Sequence, residues 1–224
     1  MKKITKKREQ SNKEIEAKPY SPIEAIALLK KVATAKFIES VEAHIALNID
    51  PRYSDQQLRT TLILPKGTGK TKRIAVLIQN EKITPEIQTL GDIVGSETLI
   101  DSITRGELNF DILLATPDMM PKLAKLGRIL GPKGLMPSPK AGTVTTDILS
   151  AINEFKGGKI EYRADKTGIV HLSFGKVNFS TDDLLENLTS VYTSIEQNKP
   201  TGVKGRYFKT LYICSTMGPS ILID

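Results

Sequence analysis

A chain of 224 residues, 39% of them hydrophobic, can bury a core as one large domain or two modest ones, and a net charge of +7 makes polyanions the first partners to consider, nucleic acid foremost. One cysteine, Cys214, excludes an internal disulfide and fits a reducing compartment; two histidines, His44 and His171, exclude a conventional Cys/His zinc set, so no metal or other cofactor is expected. Aromatic residues at 5% without Trp exclude a surface built mainly on base stacking, and no apolar run approaches the roughly 20 residues that span a bilayer, so a membrane is not an expected partner.

The basic start, MKKITKKREQSNKEIEAK, has neither the apolar core of a signal peptide nor the acid-poor character of a transit peptide, and reads as a disordered or RNA-contacting arm of a soluble protein. Ser21-Pro22-Ile23-Glu24 is a capping box with Pro at the first helical position, and Ile26, Leu29 and Ala33 continue at helical spacing. Val41, Ala43, Ile45, Leu47 and Ile49 then alternate with polar residues, and 62–64 is a second apolar run, so two strands are expected, paired with each other in one reading. Glu42 and His44 belong to the face of that first strand turned away from its apolar set.

After Gly67 and Gly69 the texture changes. Strands at 74–78 and 112–115 enclose helical stretches at 85–90 and 97–103, the alternation of a parallel α/β unit. Pro117 opens a short helix. Thr146 is a candidate cap for a helix carrying Ile148, Ile152 and Phe155 on one face and ending at Gly157-Gly158. Between them, residues 126–144, LGRILGPKGLMPSPKAGTV, are too rich in Gly and Pro for helix or strand interior and hold no acidic residue. Arg128, Lys133 and Lys140 give this loop its positive sign, and Leu130, Leu135 and Met136 anchor it to its own domain.

The last third reads as a hairpin, 160–163 and 169–174 about a turn at 165–168, then a long helix capped by Ser180 and Asp183, then a strand at 207–214. The two ends of the chain share one texture and the middle another. A discontinuous α+β outer domain, 1–66 and 159–224, with an α/β domain inserted at 67–158 follows, and its two glycine-bearing crossings make a hinge.

For chemistry, LPKGTGKT at 64–71 ends like a phosphate-binding loop, but its first Gly position is Leu64 and a strand follows where a helix is needed. An α/β nucleotide-binding or phosphoryl-transfer enzyme using residues 67–71 is the alternative reading. Cys214 reads as an inert packed thiol and no catalytic constellation stands out, so an enzyme is not expected. The turn Ser215-Thr216-Met217-Gly218-Pro219-Ser220 combines hydroxyls, a Gly that admits a ligand to the backbone and a Pro that fixes the turn; it suits ribose and phosphate, or is a plain turn with Met in the core.

The segments AKFIESVEAH, LGRILGPKGLMPSPKAGTVT, DKTGIVH and STMGPS, in this order, closely resemble the bacterial- and plastid-type family of large-subunit ribosomal protein one, the protein of the mobile stalk, over nearly the full length. The family's usual central motif carries Arg, Asn and Thr where this chain has Lys133, Ser138 and Ala141. The resemblance implies two domains, the inserted one a Rossmann-like three-layer α/β fold, and binding of large-subunit ribosomal RNA within the large ribosomal subunit. Carried over by position, the RNA surface uses Lys36, Phe37, Ser40 and Glu42, then Lys166 and Thr167, then Ser215, Thr216, Met217 and Gly218. Arg128, Lys133 and Lys140 are expected to face tRNA leaving the exit site. Repression of the chain's own mRNA is implied for a bacterial member. The expected location is the ribosome, in the plastid (chloroplast) stroma, toward which the Lys- and Ile-rich texture leans, or in a bacterial cytoplasm.

Overall fold

The computed structural model describes residues 6–79, 81, 83–203 and 205–224. They divide into two compact units, one running to Gly69 and resuming as Ile160–Asp224, the other Lys70–Lys159.

The first unit is built on a four-stranded antiparallel sheet. Numbered in chain order, its strands are β1 (Ser40–Leu47), β7 (Ile169–Lys176), β8 (Phe208–Ser215) and β9 (Ser220–Ile223), arranged β7-β1-β8-β9. Alternation along β1 sends Val41, Ala43, Ile45 and Leu47 to one face, where α2 (Pro22–Val32) and α8 (Thr181–Gln197) bury them with Ile26, Leu29, Leu184, Leu188 and Val191. Each Val, Leu or Ile side chain so buried stabilises the fold by about 1.5–3 kcal/mol relative to leaving it exposed. Both helices start where sequence chemistry places them: Ser21 Oγ accepts the Glu24 N–H while Glu24 returns the bond to Ser21, and Ser180 Oγ accepts the Asp183 N–H at 3.0 Å.

Within α8, Asn187 is fully buried and bonds on both sides. Its Oδ1 accepts the Lys66 N–H at 3.1 Å, and its Nδ2 donates to the carbonyls of Gly67 and Phe174. A buried amide so satisfied locks the chain after β2 (Arg59–Ile63) onto the helix.

Several expectations are corrected here. β2 does not pair with β1, because β7 and β8 occupy both edges of that strand; β2 pairs with β6 (Lys159–Arg163) in a separate ribbon. For the same reason β6 and β7 form no hairpin ladder: their turn closes with Gly168 N–H donating to the Asp165 carbonyl, one bridge joins Ala164 to Val170, and the strands then diverge. The basic start is α-helical over Lys6–Lys13 (α1), so the expected arm is ordered as far as it is described; residues 1–5 lie outside the described residues. Beyond the turn at 215–218 the chain forms β9, a strand absent from the sequence reading, because its four residues carry too short an alternation.

The second unit is a parallel sheet ordered β4-β3-β5, made of β3 (Ile74–Leu77), β4 (Ile93–Gly95) and β5 (Ile112–Ala115). Alternate strand residues face two separate cores. Ala75, Leu77, Leu113 and Ala115 pack with Leu99 and Ile103 of α4 (Glu97–Thr104) and with Leu123, Leu126 and Leu130. Ile74, Val76 and Leu114 pack with Ile87 of α3 (Pro85–Leu90) and with Ile148, Ile152 and Phe155 of α7 (Ile148–Lys156). This is the expected three-layer α/β arrangement. The α7 cap is Asp147, whose Oδ1 accepts the Ser150 N–H at 3.2 Å, and not Thr146 as expected: the neighbouring carboxylate sits one residue nearer the first helical N–H groups.

The Gly/Pro segment holds more helix than its composition suggests. After α5 (Met120–Ala124), Gly127–Leu130 forms a single turn, α6, and Pro139–Ala141 a 3₁₀ turn. Leu126 before α6 and Leu130 at its end are buried, so apolar anchorage overrides the glycine composition.

Candidate nucleic-acid interface

The start of β1 and the turn after β8 meet through the backbone. Ser40 N–H donates to Thr216 Oγ1 at 3.0 Å and Thr216 N–H donates to the Ser40 carbonyl at 3.1 Å, which joins residues 176 apart in the chain. Beneath them lies Glu39, 2% exposed, whose Oε1 accepts the Ala35 N–H at 3.1 Å and whose Oε2 accepts the Met217 N–H at 2.9 Å. Those bonds are charge-assisted, and they fix both loops at one corner of the sheet. Gly218 closes the turn by donating its N–H to the Ser215 carbonyl; a Cβ there would lie 2.4 Å from Ser215 Oγ, so any larger residue must displace that hydroxyl.

This corner is apolar at its tips and polar at its base. Phe37, Ile38 and Met217 are 56%, 61% and 66% exposed, while Lys36 and Thr216 are exposed and Lys176 Nζ donates to Ser40 Oγ at 2.9 Å. Exposed apolar side chains ringed by cations and hydroxyls can pack on a sugar or base while neutralising phosphate. Ser215, expected among the contacts, is 3% exposed: its place is under Gly218, shaping the turn. Met217 is out in solvent, which decides its two sequence readings against the core.

From that corner the outer face of the sheet, opposite the helices, carries Glu42, His44, Cys214 and His171 side by side. Pairing sets Glu42 against Cys214 and His44 against His171. His44 Nδ1 is 2.8 Å from His171 Nδ1, His44 Nε2 is 3.2 Å from Cys214 Sγ and 4.0 Å from Glu42 Oε2, and His171 Nε2 is 3.7 Å from Asp165 Oδ2. Burial holds His44 below the ordinary imidazole range, with His171 adding to the effect and Glu42 opposing it, so at neutral pH the ring is uncharged. Burial, and then Glu42, push the Cys214 thiol up. Cys214 is thus not the packed core thiol expected from its apolar strand: Ile213 and Ser215 take the inward positions and Cys214 lies partly buried on the outer face. Glu42, His44 and Cys214 hold their donor atoms within 4.8 Å of one another, a set of metal-ligand types that spacing along the chain does not reveal.

Lys166 and Thr167 are exposed, but at the opposite end of β1 from Ser40; the six intervening steps of strand measure roughly 20 Å. Thr167 donates both its N–H and its hydroxyl to Asp165, so its polar atoms already serve the turn. The bond from Ile169 N–H, then those from Thr167, hold the Asp165 carboxyl below its usual range. α1 borders the far edge of the same face, where Arg8, Asn12 and Ile15 line a shallow cavity with Tyr212, Ser220 and Leu222.

On the second unit, Arg128, Lys133 and Lys140 are all exposed, while Leu135 and Met136 pack into the core. The segment 67–71 leads into β3 and not into a helix, so no helix N-terminus is available there for a phosphate. Sequence reasoning missed Glu39, Ile38 and Lys176. Glu39 was detectable: by the alternation of β1 it shares the inward side with Val41, where a carboxylate requires bonded partners.

The profile of the "Ribosomal protein L1p/L10e family" matches residues 29–219. The chain is 62% identical over 224 residues to "Large ribosomal subunit protein uL1c" of Guillardia theta, covering all of this chain and 96% of that one. It is 60% identical over the same span to the protein of that name from Rhodomonas salina, again with 96% of the relative covered. Against "Large ribosomal subunit protein uL1" of Thermosynechococcus vestitus it is 58% identical over 224 residues, covering 94% of that protein.

Proposed function

The chain belongs to the ribosomal protein L1p/L10e family, and from that membership we propose that it is a structural constituent of the large ribosomal subunit that binds large-subunit ribosomal RNA at the mobile stalk. The observation that carries the RNA reading is the corner where Ser40 and Thr216 exchange backbone and hydroxyl bonds over buried Glu39, presenting Phe37 and Met217 beside Lys36 and Lys176. Met217 and Phe37 pack on exposed sugar or base, Ser40, Thr216 and the Gly218 backbone read ribose and phosphate, and the lysines supply the charge; Ser215 holds the turn. Lys166 and Thr167 form a second, more distant contact on the same unit.

Arg128, Lys133 and Lys140 serve a different anion, tRNA leaving the exit site. Support for this is their exposure on an acid-free segment whose apolar residues fix it to the second unit. Repression of the chain's own messenger follows if that messenger carries a copy of the ribosomal RNA site. The uL1c designation of two relatives and the Lys- and Ile-rich composition support a plastid ribosome over a bacterial one.

The test is binding of the full chain to a fragment of large-subunit RNA. Met217→Asp and Thr216→Val are expected to weaken binding by at least about tenfold, the cost of roughly 1.4 kcal/mol. Lys133→Ala with Lys140→Ala should change it far less, and equal losses from the two units would overturn the assignment.

A further inference from the structure

We propose that Glu42, His44 and Cys214 bind a divalent cation of the zinc class on the outer face of the first unit's sheet, with His171 orienting the His44 ring. The three ligands come from adjacent strands, Glu42 and His44 on β1 and Cys214 on β8, so their relative placement is set by strand register and not by a loop. Zinc–ligand bonds of about 2.0–2.3 Å around a tetrahedral centre separate neighbouring donor atoms by roughly 3.5 Å. His44 Nε2 stands 3.2 Å from Cys214 Sγ and 4.0 Å from Glu42 Oε2, and all three donor atoms fall within 4.8 Å, so small side-chain rotations suffice.

The second, independent observation is the far side of the imidazole. His44 Nδ1 contacts His171 Nδ1 at 2.8 Å, so one of the two carries the proton. With His171 protonated at Nε2, toward Asp165, its Nδ1 accepts from His44 Nδ1–H and leaves His44 Nε2 as a lone pair aimed at Cys214 and Glu42. A ligating histidine whose other nitrogen is held by a hydrogen bond is how protein metal sites fix tautomer and ring angle. Thiolate and imidazole favour zinc over magnesium or calcium, and one thiolate with one carboxylate balances the double charge. As the ion binds, the Cys214 thiol proton leaves to solvent and a sulfur–metal bond forms, with water in the fourth position. The sequence hides this site because Cys214 stands 170 residues from His44. Glu42 is shared with the RNA surface that the resemblance implies, but the metal test needs no nucleic acid, so its failure and that of the RNA reading are distinguishable.

Cobalt(II) titration of the full chain, followed by zinc displacement, tests the site. A near-ultraviolet thiolate-to-cobalt charge-transfer band is expected, saturating at one ion per chain and bleached by zinc. Cys214→Ser should abolish the band and weaken zinc binding by at least about tenfold. Glu42→Gln, on the exposed face, should weaken it similarly and serves if the change at Cys214 perturbs folding. His171→Ala should cost about 10- to 100-fold in affinity while keeping the band, and His171→Asn, which restores an acceptor, should recover most of it. A cobalt spectrum without the thiolate band, or zinc affinity unchanged in both Cys214→Ser and Glu42→Gln, would overturn the proposal.

Discussion

Glu39 Oε2 accepts the backbone N–H of Met217 at 2.9 Å, so a carboxylate 2% exposed carries a methionine 66% exposed. The inner residue has no access to a ligand, yet it decides where the outer one stands, because its other oxygen holds the Ala35 N–H and thereby the approach to Phe37.

Glu39→Gln is therefore expected to destabilise the protein by about 1.5–3 kcal/mol, since an amide replaces one charged acceptor with a donor facing another N–H. Urea denaturation should show the lower midpoint at unchanged slope. Weaker RNA binding should accompany it although the residue is buried.

Gly218→Ala should separate turn geometry from stability. The added Cβ meets Ser215 Oγ at 2.4 Å and must displace it, moving the Thr216–Met217 corner. RNA affinity should fall at least about fivefold, roughly 1 kcal/mol, measured by filter binding, with a melting temperature changed by only a few degrees. Gly218→Ala combined with Ser215→Ala, which removes the obstructing oxygen, should regain part of the loss.

Asn187→Ala should be among the costly single changes in the first unit. It leaves the Lys66 N–H without its acceptor and two carbonyls without their donor, a loss of at least about 2 kcal/mol by chemical denaturation. Amide exchange should quicken first at Lys66 and Gly67.

How much of this was legible in the sequence differs by element. The inward set of β1 and both capped helices follow from residue spacing and hydroxyl placement. Pairing does not, because the apolar run at 62–64 fits equally well against any apolar edge; only the arrival of β7 and β8, from beyond residue 168, takes both sides of β1. The parallel unit was readable from its continuous apolar strands, except for β4, whose three residues give no period. At the candidate interface, the resemblance pointed to Ser40 and Thr216 without the bond between them. Glu39 and the Glu42–His44–Cys214 group depend on register across strands, which no local pattern encodes.

Tyr207 supplies an alkaline signature. Its hydroxyl is buried with no hydrogen-bond partner among the described residues, and burial, then Tyr162, push it up to about 12. In the unfolded chain a tyrosine titrates near about 10. Between these values the unfolded state has lost a proton that the folded state keeps, so stability falls as pH rises from about 10 toward 12. Tyr207→Phe should flatten that decline in thermal melts and stabilise the protein by about 1 kcal/mol at neutral pH, because it removes an orphaned polar atom.

The first unit's core has a consequence for biosynthesis. Tyr20 bridges Ile223, and Ile26 and Val41 share one apolar cluster with Ile213 and Ile221, so strands made early wait for partners made late. Lys70–Lys159 instead closes its two cores within itself and can consolidate while the remainder is still being translated. During that interval the apolar side of β1 is a nascent-chain liability, and a ribosome stalled before residue 208 should display a protease-resistant centre flanked by cleavable ends.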